Sequence, residues 1–416
     1  MKLVVTIHEP SVEKAIEAIH AIASPHDLVE VRVDALTESF TVEPIRAATL
    51  KPIILTNRGG LPVDFAAAYD AGIDFVDVEF GHDPGPRRDR VVLSHHDFES
   101  TPDLDALARD MRAIGCAHTK IAVTPRDFAD NARVLRGAAG FNRPASGAMT
   151  FIGMGGKGLY SRILAPFFGS ELVFTGSAAP GQFSLERARG IYGDAPQEPR
   201  RIFALVGNPA AHSASPPIHN ARFREHGAAA AYSVFETDDF LDVAEPFARG
   251  DRFAPTGLSV TVPFKEQALD FARRIGAAIA PNASEAGAVN TLVRTARGIV
   301  ADNTDVDGFE ALIARTSATS AAVLGAGGTA RAAIVALRRR GIEPVVYNRT
   351  AGRLGAKPLA DFVRRNGELV INTLPLFRED ADINAVYGPQ RTPNDGYALL
   401  EAQAARQNQL FIEACT

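Results

Sequence analysis

Short runs of β-branched and aliphatic residues recur along the first half of the chain, at 3–7, 28–33, 52–56, 75–78, 90–94, 119–123, 148–152 and 171–175. Between most of them lie helix-forming stretches with apolar positions spaced near 3.6, as at 104–114 and 128–136. Eight strands alternating with helices predict a parallel (β/α)8 barrel. The competing architecture is an open doubly wound sheet, and the strand count favours the barrel. With a span of 1–195 it is a trimmed barrel, near the low end for the fold.

The pattern breaks at 194–201, where DAPQEPRR is Pro-rich and charged and reads as a linker. A new α/β pattern starts at Ile202. A third unit appears near Ala321, where the apolar run 321–324 leads into a glycine-rich turn and a helix. The whole chain therefore reads as α/β: a barrel over 1–195, an α/β part over 202–305, a Rossmann-like part over 306–395 and a closing helix over 396–416.

Composition narrows the function classes. A length of 416 residues suggests two or three domains, and 46% hydrophobic with 22% charged residues is the balance of a soluble globular protein. The net charge of -5 supplies no basic field for nucleic acid or an anionic membrane, so an anionic small substrate needs local arginines and lysines. Cys116 and Cys415 form no CxxC pair, which argues against a disulfide framework and fits a reducing cytoplasm; no metal site is expected. Strand-like sequence from Lys2 leaves no room for a signal peptide, and no apolar run reaches the roughly 20 residues that span a bilayer.

In a barrel the chemistry sits at the C-terminal strand ends. Glu30, Arg32 and Asp34 alternate at the end of the second strand and so share a face. Arg58 ends the third strand, and Ser94-His95-His96-Asp97 ends the fifth. Lys120 interrupts the apolar sixth strand. Burial of an ammonium is costly and favours a neutral amine, as an imine-forming lysine requires. A histidine on the neighbouring strand supplies a group that moves protons near neutral pH. Lys120 and His96 with Arg32, Arg58 and Arg162 make a pocket for an anionic carbonyl compound.

Over residues 2–193 the blocks Glu30-x-Arg32-x-Asp34, Ser94-x-His96-Asp97-Phe98, Lys120-Ile121-Ala122, Ser161-Arg162 and Ala179-Pro180-Gly181-Gln182 resemble the type I 3-dehydroquinate dehydratase family. The resemblance implies that Lys120 forms an imine with the 3-keto group and that His96 removes the adjacent proton and assists loss of water. It implies that Arg162 holds the carboxylate, that Gln182 and Glu30 bind ring hydroxyls, and that Arg32 orients Glu30. Two departures stand out. The Glu common after the strand-three arginine is absent from Arg58-Gly59-Gly60-Leu61-Pro62, and Ala178 stands where a serine is usual, with Ser177 one step earlier.

After the linker, His212-Ser213-Ala214-Ser215-Pro216 places two hydroxyls before a proline at a helix start, a geometry that can bind a carboxylate or simply cap the helix. Val260-Thr261-Val262-Pro263-Phe264-Lys265, Gly287-Ala288-Val289-Asn290-Thr291 and Asn303-Thr304-Asp305 follow. Lys265 and Asp305 can form a proton-moving dyad. Leu324-Gly325-Ala326-Gly327-Gly328-Thr329-Ala330 matches the dinucleotide turn G-x-G-x-x-A between a strand and a helix. The next strand ends in Asn348-Arg349-Thr350, with an arginine where NAD sites carry an acid, which favours NADP.

These motifs, over 203–411, are similar to the shikimate dehydrogenase family. The resemblance implies that Lys265 and Asp305 are catalytic and that Ser213, Ser215, Thr261, Asn290 and Gln403 bind substrate. It implies that Gly325, Ala326, Gly327, Gly328, Thr329 and Ala330, with Asn348, Arg349 and Thr350, bind NADP. Thr373-Leu374-Pro375-Leu376-Phe377 departs from the family's Thr-Pro-x-Gly-Met, and the stretch 386–399 is short, as if a helix were lost. Together the two halves imply a bifunctional shikimate-pathway enzyme: 3-dehydroquinate is dehydrated to 3-dehydroshikimate, which NADPH reduces to shikimate. The competing readings are a second half that acts on quinate and a catalytically dead ligand-sensing regulator. Ser213 with Ser215 argues against the first, and Lys120, His96, Lys265 and Asp305 against the second.

Overall fold

The computed structural model describes residues 1–59, 64–141, 148–194, 196–387 and 396–415. They form two compact units, one of Met1–Ile202, Ala210–Thr237 and Arg252–Ala254, the other of Phe203–Pro209, Asp238–Asp251 and Pro255–Thr416. The division does not follow the linker: two segments beyond it pack with the barrel.

In the first unit β1 (Lys2–Ile7), β2 (Leu28–Arg32), β3 (Ile53–Thr56), β4 (Phe75–Glu79), β5 (Val91–His96), β6 (His118–Val123), β7 (Ala148–Gly153) and β8 (Leu172–Thr175) form one sheet. Its order is β7-β6-β5-β4-β3-β2-β1-β8, and every ladder is parallel. Side chains complete the seam between β7 and β8. The Leu172 N–H donates to Thr150 Oγ1 at 3.0 Å and the Phe151 N–H to Ser170 Oγ at 3.0 Å. The barrel is therefore nearly closed. Its outer layer is α1 (Val12–His20), α2 (Glu43–Ala47), α3 (Phe65–Asp70), α4 (Leu104–Ala113), α5 (Phe128–Phe141), α6 (Leu159–Leu164) and α7 (Leu185–Tyr192). Side chains of Ser11, Asp64, Asp103 and Ser184 cap four of these helices, satisfying N–H groups the first turn leaves free.

The barrel interior has two layers, set by strand alternation. Val4, Leu28, Ile54, Val92, Ala122, Ile152, Leu172 and Phe174 pack as an apolar plug. Two residues along from the plug residues of β1, β2, β3 and β5, the same face carries Thr6, Glu30, Thr56 and Ser94, all buried. Buried Asp77 and Lys120 lie on the neighbouring strands β4 and β6. Charge is thus gathered at the C-terminal strand ends over an apolar floor.

The second unit takes β9 (Arg201–Gly207) from Phe203 on. The first unit takes α8 (Ser215–Glu225) and β10 (Ala230–Glu236). Arg224 donates to the Ile191 and Gly190 carbonyls at 2.6 and 2.8 Å, and Ser233 Oγ to the Tyr160 carbonyl at 3.0 Å, so these elements lean on α6 and α7. The buried Tyr160 hydroxyl donates to the Phe253 carbonyl at 2.5 Å.

The second unit continues with α9 (Leu241–Arg249), β11 (Gly257–Val260), α10 (Lys265–Arg274), β12 (Ala278–Ile279), α11 (Pro281–Ala286), β13 (Thr291–Thr295), β14 (Gly298–Asp302) and α12 (Thr304–Ile313). Strands β9, β11, β13, β14 and β12 lie side by side in that order, with β13 antiparallel to both neighbours. Next come β15 (Ala321–Leu324), α13 (Gly328–Arg339), β16 (Val345–Asn348), β17 (Lys357–Pro358), β18 (Leu369–Asn372), β19 (Ile383–Asn384) and α14 (Gly396–Glu413). They build a parallel sheet of order β17-β16-β15-β18-β19, covered by α12, α13 and α14. Between β16 and β18 only single 3-10 turns at Arg353–Gly355 and Leu359–Asp361 stand where a doubly wound fold places a helix. The expected boundary at 395 and part of the shortened stretch 386–399 lie outside the described residues, as do Gly60, Leu61 and Pro62 after Arg58.

Candidate active sites

Lys120 reaches up from the floor of the barrel, buried, with Nζ 2.8 Å from Asp77 Oδ2 and 4.6 Å from the centre of the Phe174 ring. Asp77 also accepts from Arg58 Nη2 at 2.7 Å and from Ser94 Oγ at 2.5 Å. Burial by itself would raise this carboxyl, but the Lys120 and Arg58 charges outweigh it and hold Asp77 well below the usual carboxylate range. Lys120 is thus ion-paired with Asp77, whereas its apolar strand suggested a neutral amine without a charged partner.

One strand away, Glu79 grips His96 twice: Oε1 accepts the His96 backbone N–H at 2.8 Å and Oε2 meets Nδ1 at 2.8 Å. Glu79 also receives Arg58 Nη1 at 2.8 Å. Burial opposes ionisation of Glu79, while its bond to His96 and the nearby charges hold its carboxyl low. Burial pushes the His96 imidazole below its ordinary value; the Glu79 bond works against this, and the Lys120 and Arg58 charges work with it. The lowering favours the neutral imidazole near pH 7.

Around this centre, Glu30 accepts from Thr6 Oγ1 at 2.7 Å and from Thr56 Oγ1 at 2.8 Å. Arg32 forks onto Asp34 at 2.9 and 2.6 Å. The expected orienting of Glu30 by Arg32 is thus carried by two threonines. Asp34 sits in a 3-10 turn (Val33–Ala35), not on the strand, which lets it fold back to Arg32. Gln182 Nε2 lies 3.5 Å from Thr6 Oγ1, and Gln182 Oε1 accepts the Ala179 N–H at 3.0 Å. Arg162 is buried on α6 and donates to the Pro180 carbonyl at 3.4 Å, with no carboxylate partner among the described residues. Burial pulls its guanidinium down to about 10. A buried guanidinium lacking an anion is suited to take one from a ligand. Asp77 and Glu79 were absent from the sequence expectation, although Phe75-Val76-Asp77-Val78-Glu79 repeats the alternation of Glu30-Val31-Arg32.

In the second unit Lys265 opens α10, buried, with Nζ 2.5 Å from Asp305 Oδ2 and 2.9 Å from Thr329 Oγ1. Asn290 Nδ2 donates to Asp305 Oδ1 at 2.8 Å, while Asn290 Oδ1 accepts the Thr304 N–H at 2.8 Å, so the amide has one orientation. Gln403 of α14 accepts from Thr304 Oγ1 at 3.0 Å. Gln407, not foreseen, bridges the network one turn on: it accepts from Ser259 and donates to Thr291, each at 2.7 Å. Thr261 follows β11, and its N–H donates to the Val206 carbonyl at 2.9 Å. Ser213 and Ser215 belong to the first unit, where Ser213 Oγ lies 3.1 Å from Ser215 Oγ at the start of α8.

The turn from Gly325 to Ala330 joins β15 to α13. Gly325 has φ of +113°, and a Cβ there would meet Thr373 Oγ1 at 2.3 Å, so only glycine fits. A Cβ on Gly327 would meet nothing within 4 Å, so the space beside the first N–H groups of α13 is open, and those N–H groups could hold a phosphate. Asn348 Nδ2 donates to the Thr350 carbonyl at 3.0 Å, and exposed Arg349 has no anionic partner among the described residues. Among those residues no cluster of His, Cys, Asp and Glu is arranged to hold a metal ion, and no helix is long and apolar enough to cross a membrane.

The first unit is thus a barrel with a lysine, a histidine and the carboxylates of Glu30, Asp77 and Glu79 at its C-terminal strand ends. The second is an α/β unit whose lysine–aspartate pair lies against a glycine-rich turn. Family comparison agrees with both. Residues 3–197 match the family model for type I 3-dehydroquinase, and residues 205–292 match that for the shikimate dehydrogenase substrate binding domain. The chain is 29% identical over 381 residues to the chloroplastic bifunctional 3-dehydroquinate dehydratase/shikimate dehydrogenase of Arabidopsis thaliana, covering 79% of this chain and 61% of that protein. It is 28% identical over 399 residues to the pentafunctional AROM polypeptide of Mycosarcoma maydis, covering 82% of this chain and 23% of that one. It therefore spans about three-fifths of the first relative and under a quarter of the second. Among solved structures, dehydroquinate dehydratase and shikimate dehydrogenase from S. pombe AroM aligns over 98% of this chain and 95% of its own, at 23% identity and a TM-score of 0.38. Shikimate 5-dehydrogenase from Thermus thermophilus, in complex with NADP(H) and shikimate, aligns over 51% of this chain and 93% of its own, at 28% identity and a TM-score of 0.42.

Proposed function

We propose that this chain carries out two successive reactions, dehydration of 3-dehydroquinate to 3-dehydroshikimate and reduction of that product to shikimate with NADPH. The observation that carries the reading is that each family segment keeps its reactive lysine paired: Lys120 with Asp77 beside His96, and Lys265 with Asp305. A ligand-sensing protein has no need of either pair.

In the first reaction Lys120 Nζ, as the amine, adds to the substrate ketone and water leaves, giving an imine. The imine draws electrons from the neighbouring carbon, so His96 can remove a proton there. The electron pair moves through the enamine and expels the β-hydroxyl, which takes up the proton His96 carries and departs as water. Hydrolysis of the imine releases the product and restores Lys120. Arg162 takes the substrate carboxylate, and Glu30 and Gln182 take ring hydroxyls. Asp77 and Glu79 hold Lys120 and His96 in register.

In the second reaction bound NADPH supplies a hydride to the carbonyl carbon. The glycine-rich turn, from Gly325 to Ala330, fits its pyrophosphate at the start of α13, and Arg349 with Asn348 and Thr350 suits the 2′-phosphate. Lys265 donates a proton to the carbonyl oxygen as it becomes a hydroxyl, and Asp305 keeps the ammonium aimed. Asn290, Thr261 and Gln403 contribute hydrogen bonds to ring hydroxyls.

The test assays each step alone. 3-Dehydroquinate without cofactor should give 3-dehydroshikimate, and 3-dehydroshikimate with NADPH should give shikimate. Lys120→Ala should remove only the first conversion and Lys265→Ala only the second. A substitution that removes both, or neither, would count against two separate sites.

A further inference from the structure

Lys265 is held by two acceptors of different kinds. Asp305 Oδ2 lies 2.5 Å from Nζ and supplies charge; Thr329 Oγ1 lies 2.9 Å away and supplies direction. An ammonium has three tetrahedral N–H donors. One acceptor leaves the side chain free to swing about the N–H···O axis. Two fixed acceptors determine where the third donor points.

Thr329 is the second residue of α13, directly after Gly327 and Gly328 of the glycine-rich turn. The turn itself is packed on the lysine. A Cβ added to Gly328 would come within 2.9 Å of Lys265 Cβ and 3.1 Å of its Cδ. The missing side chain at 328 is therefore what lets the Thr329 hydroxyl reach Nζ. At its other end Lys265 is also held, because its carbonyl accepts the Val289 N–H at 2.8 Å.

We propose that Thr329 is a positioning residue for the dehydrogenase reaction, whose hydroxyl orients Lys265 and so ties the direction of proton donation to the turn that carries the cofactor. The catalytic part rests on the reading of the second unit as a dehydrogenase; the hydroxyl–lysine contact does not. The sequence pattern assigns this threonine to the cofactor, whereas its oxygen is engaged by the lysine.

Thr329→Val removes the hydroxyl at nearly constant shape, and Thr329→Ser keeps it. The first readout needs no cofactor: the rate at which acetic anhydride labels Lys265 in the full-length, ligand-free chain at fixed pH, followed by peptide mass. Loss of one hydrogen bond to a charged group should speed labelling roughly tenfold in Thr329→Val, and Thr329→Ser should keep the wild-type rate. The second readout is turnover. Thr329→Val should lower kcat for 3-dehydroshikimate reduction by roughly tenfold, with little change in either KM, as expected when orientation in the transition state is lost. Thr329→Ala serves if the valine variant does not fold.

A higher KM for NADPH with unchanged kcat and labelling would make Thr329 a phosphate ligand and overturn the proposal. Unchanged labelling and turnover in the hydroxyl-free variants would overturn it equally. If the wild-type chain reduces no 3-dehydroshikimate, the dehydrogenase reading fails, while the labelling series still decides whether Thr329 holds Lys265.

Discussion

His96 Nδ1 lies 2.8 Å from Glu79 Oε2, and the other oxygen of that carboxylate accepts the His96 backbone N–H at 2.8 Å. An ionised carboxylate can only accept, so Nδ1 carries the hydrogen and Nε2 is left as the base. Burial lowers the imidazole, Glu79 raises it, and the Lys120 and Arg58 charges lower it again. The acid limb of dehydratase kcat/KM should therefore lie below pH ~6.5, the ordinary value for histidine. Glu79→Gln removes the raising influence. It should move that limb further down and cut kcat by about 100-fold, through loss of ring orientation. A limb that moves upward would show that Glu79 does not act on His96 as described.

Asp77 makes a second pH prediction. Its carboxyl is depressed, so its contribution to stability is complete above the unfolded value of about 4 and is lost as pH falls through the folded one. Asp77→Asn leaves Lys120 and Arg58 without their shared anion and should cost ~3–5 kcal/mol at neutral pH. The difference in Tm between the two proteins should shrink as pH drops below about 4. A difference that stays constant from neutral to strongly acidic pH would contradict the ion-pair account.

Cofactor choice rests on one exposed arginine. Arg349 follows β16 with no acid at the strand end, so NADP should be used far better than NAD. Arg349→Ala should weaken NADP by ~1–3 kcal/mol and leave NAD little changed, read from the two KM values. Equal use of both cofactors by the unaltered chain would count against this assignment.

The barrel's own boundary can be tested with fragments. Tyr160 is fully buried, donates to the Phe253 carbonyl at 2.5 Å, and meets Phe235 edge-on with ring centres 5.5 Å apart. Both partners lie past the linker. A fragment of residues 1–195 keeps every residue proposed for dehydration but strips that cover from α6. It should melt lower than a fragment of residues 1–254, each 1 kcal/mol lost shifting Tm by roughly 2–4 °C. Equal Tm values would mean that the later segments add nothing to the barrel.

Much of this was legible in the chain. Barrel strands are short apolar runs buried on both faces, and all eight fell within two residues of the expected bounds. Lys120 and Lys265 were legible because a lysine in apolar or motif surroundings stands out. Asp77 and Glu79 were not singled out, although their alternation in β4 repeats that of Glu30 and Arg32 in β2. Only the sheet register, which aligns Glu79 with Ser94 and Ser94 with Lys120, shows that they share a site with Lys120 and His96. The unit boundary was hidden for a similar reason. A proline-rich linker marks a change of pattern, but the burial of Tyr160 depends on residues about 75–95 positions away, which no local pattern records.

One chain is expected to perform both steps. The direct measurement supplies the full-length protein with 3-dehydroquinate and NADPH only, and follows NADPH loss and product identity together. The account predicts shikimate in amounts matching the NADPH consumed, after a lag while 3-dehydroshikimate builds up. Persistent 3-dehydroshikimate with NADPH untouched, or unreacted 3-dehydroquinate, would contradict it.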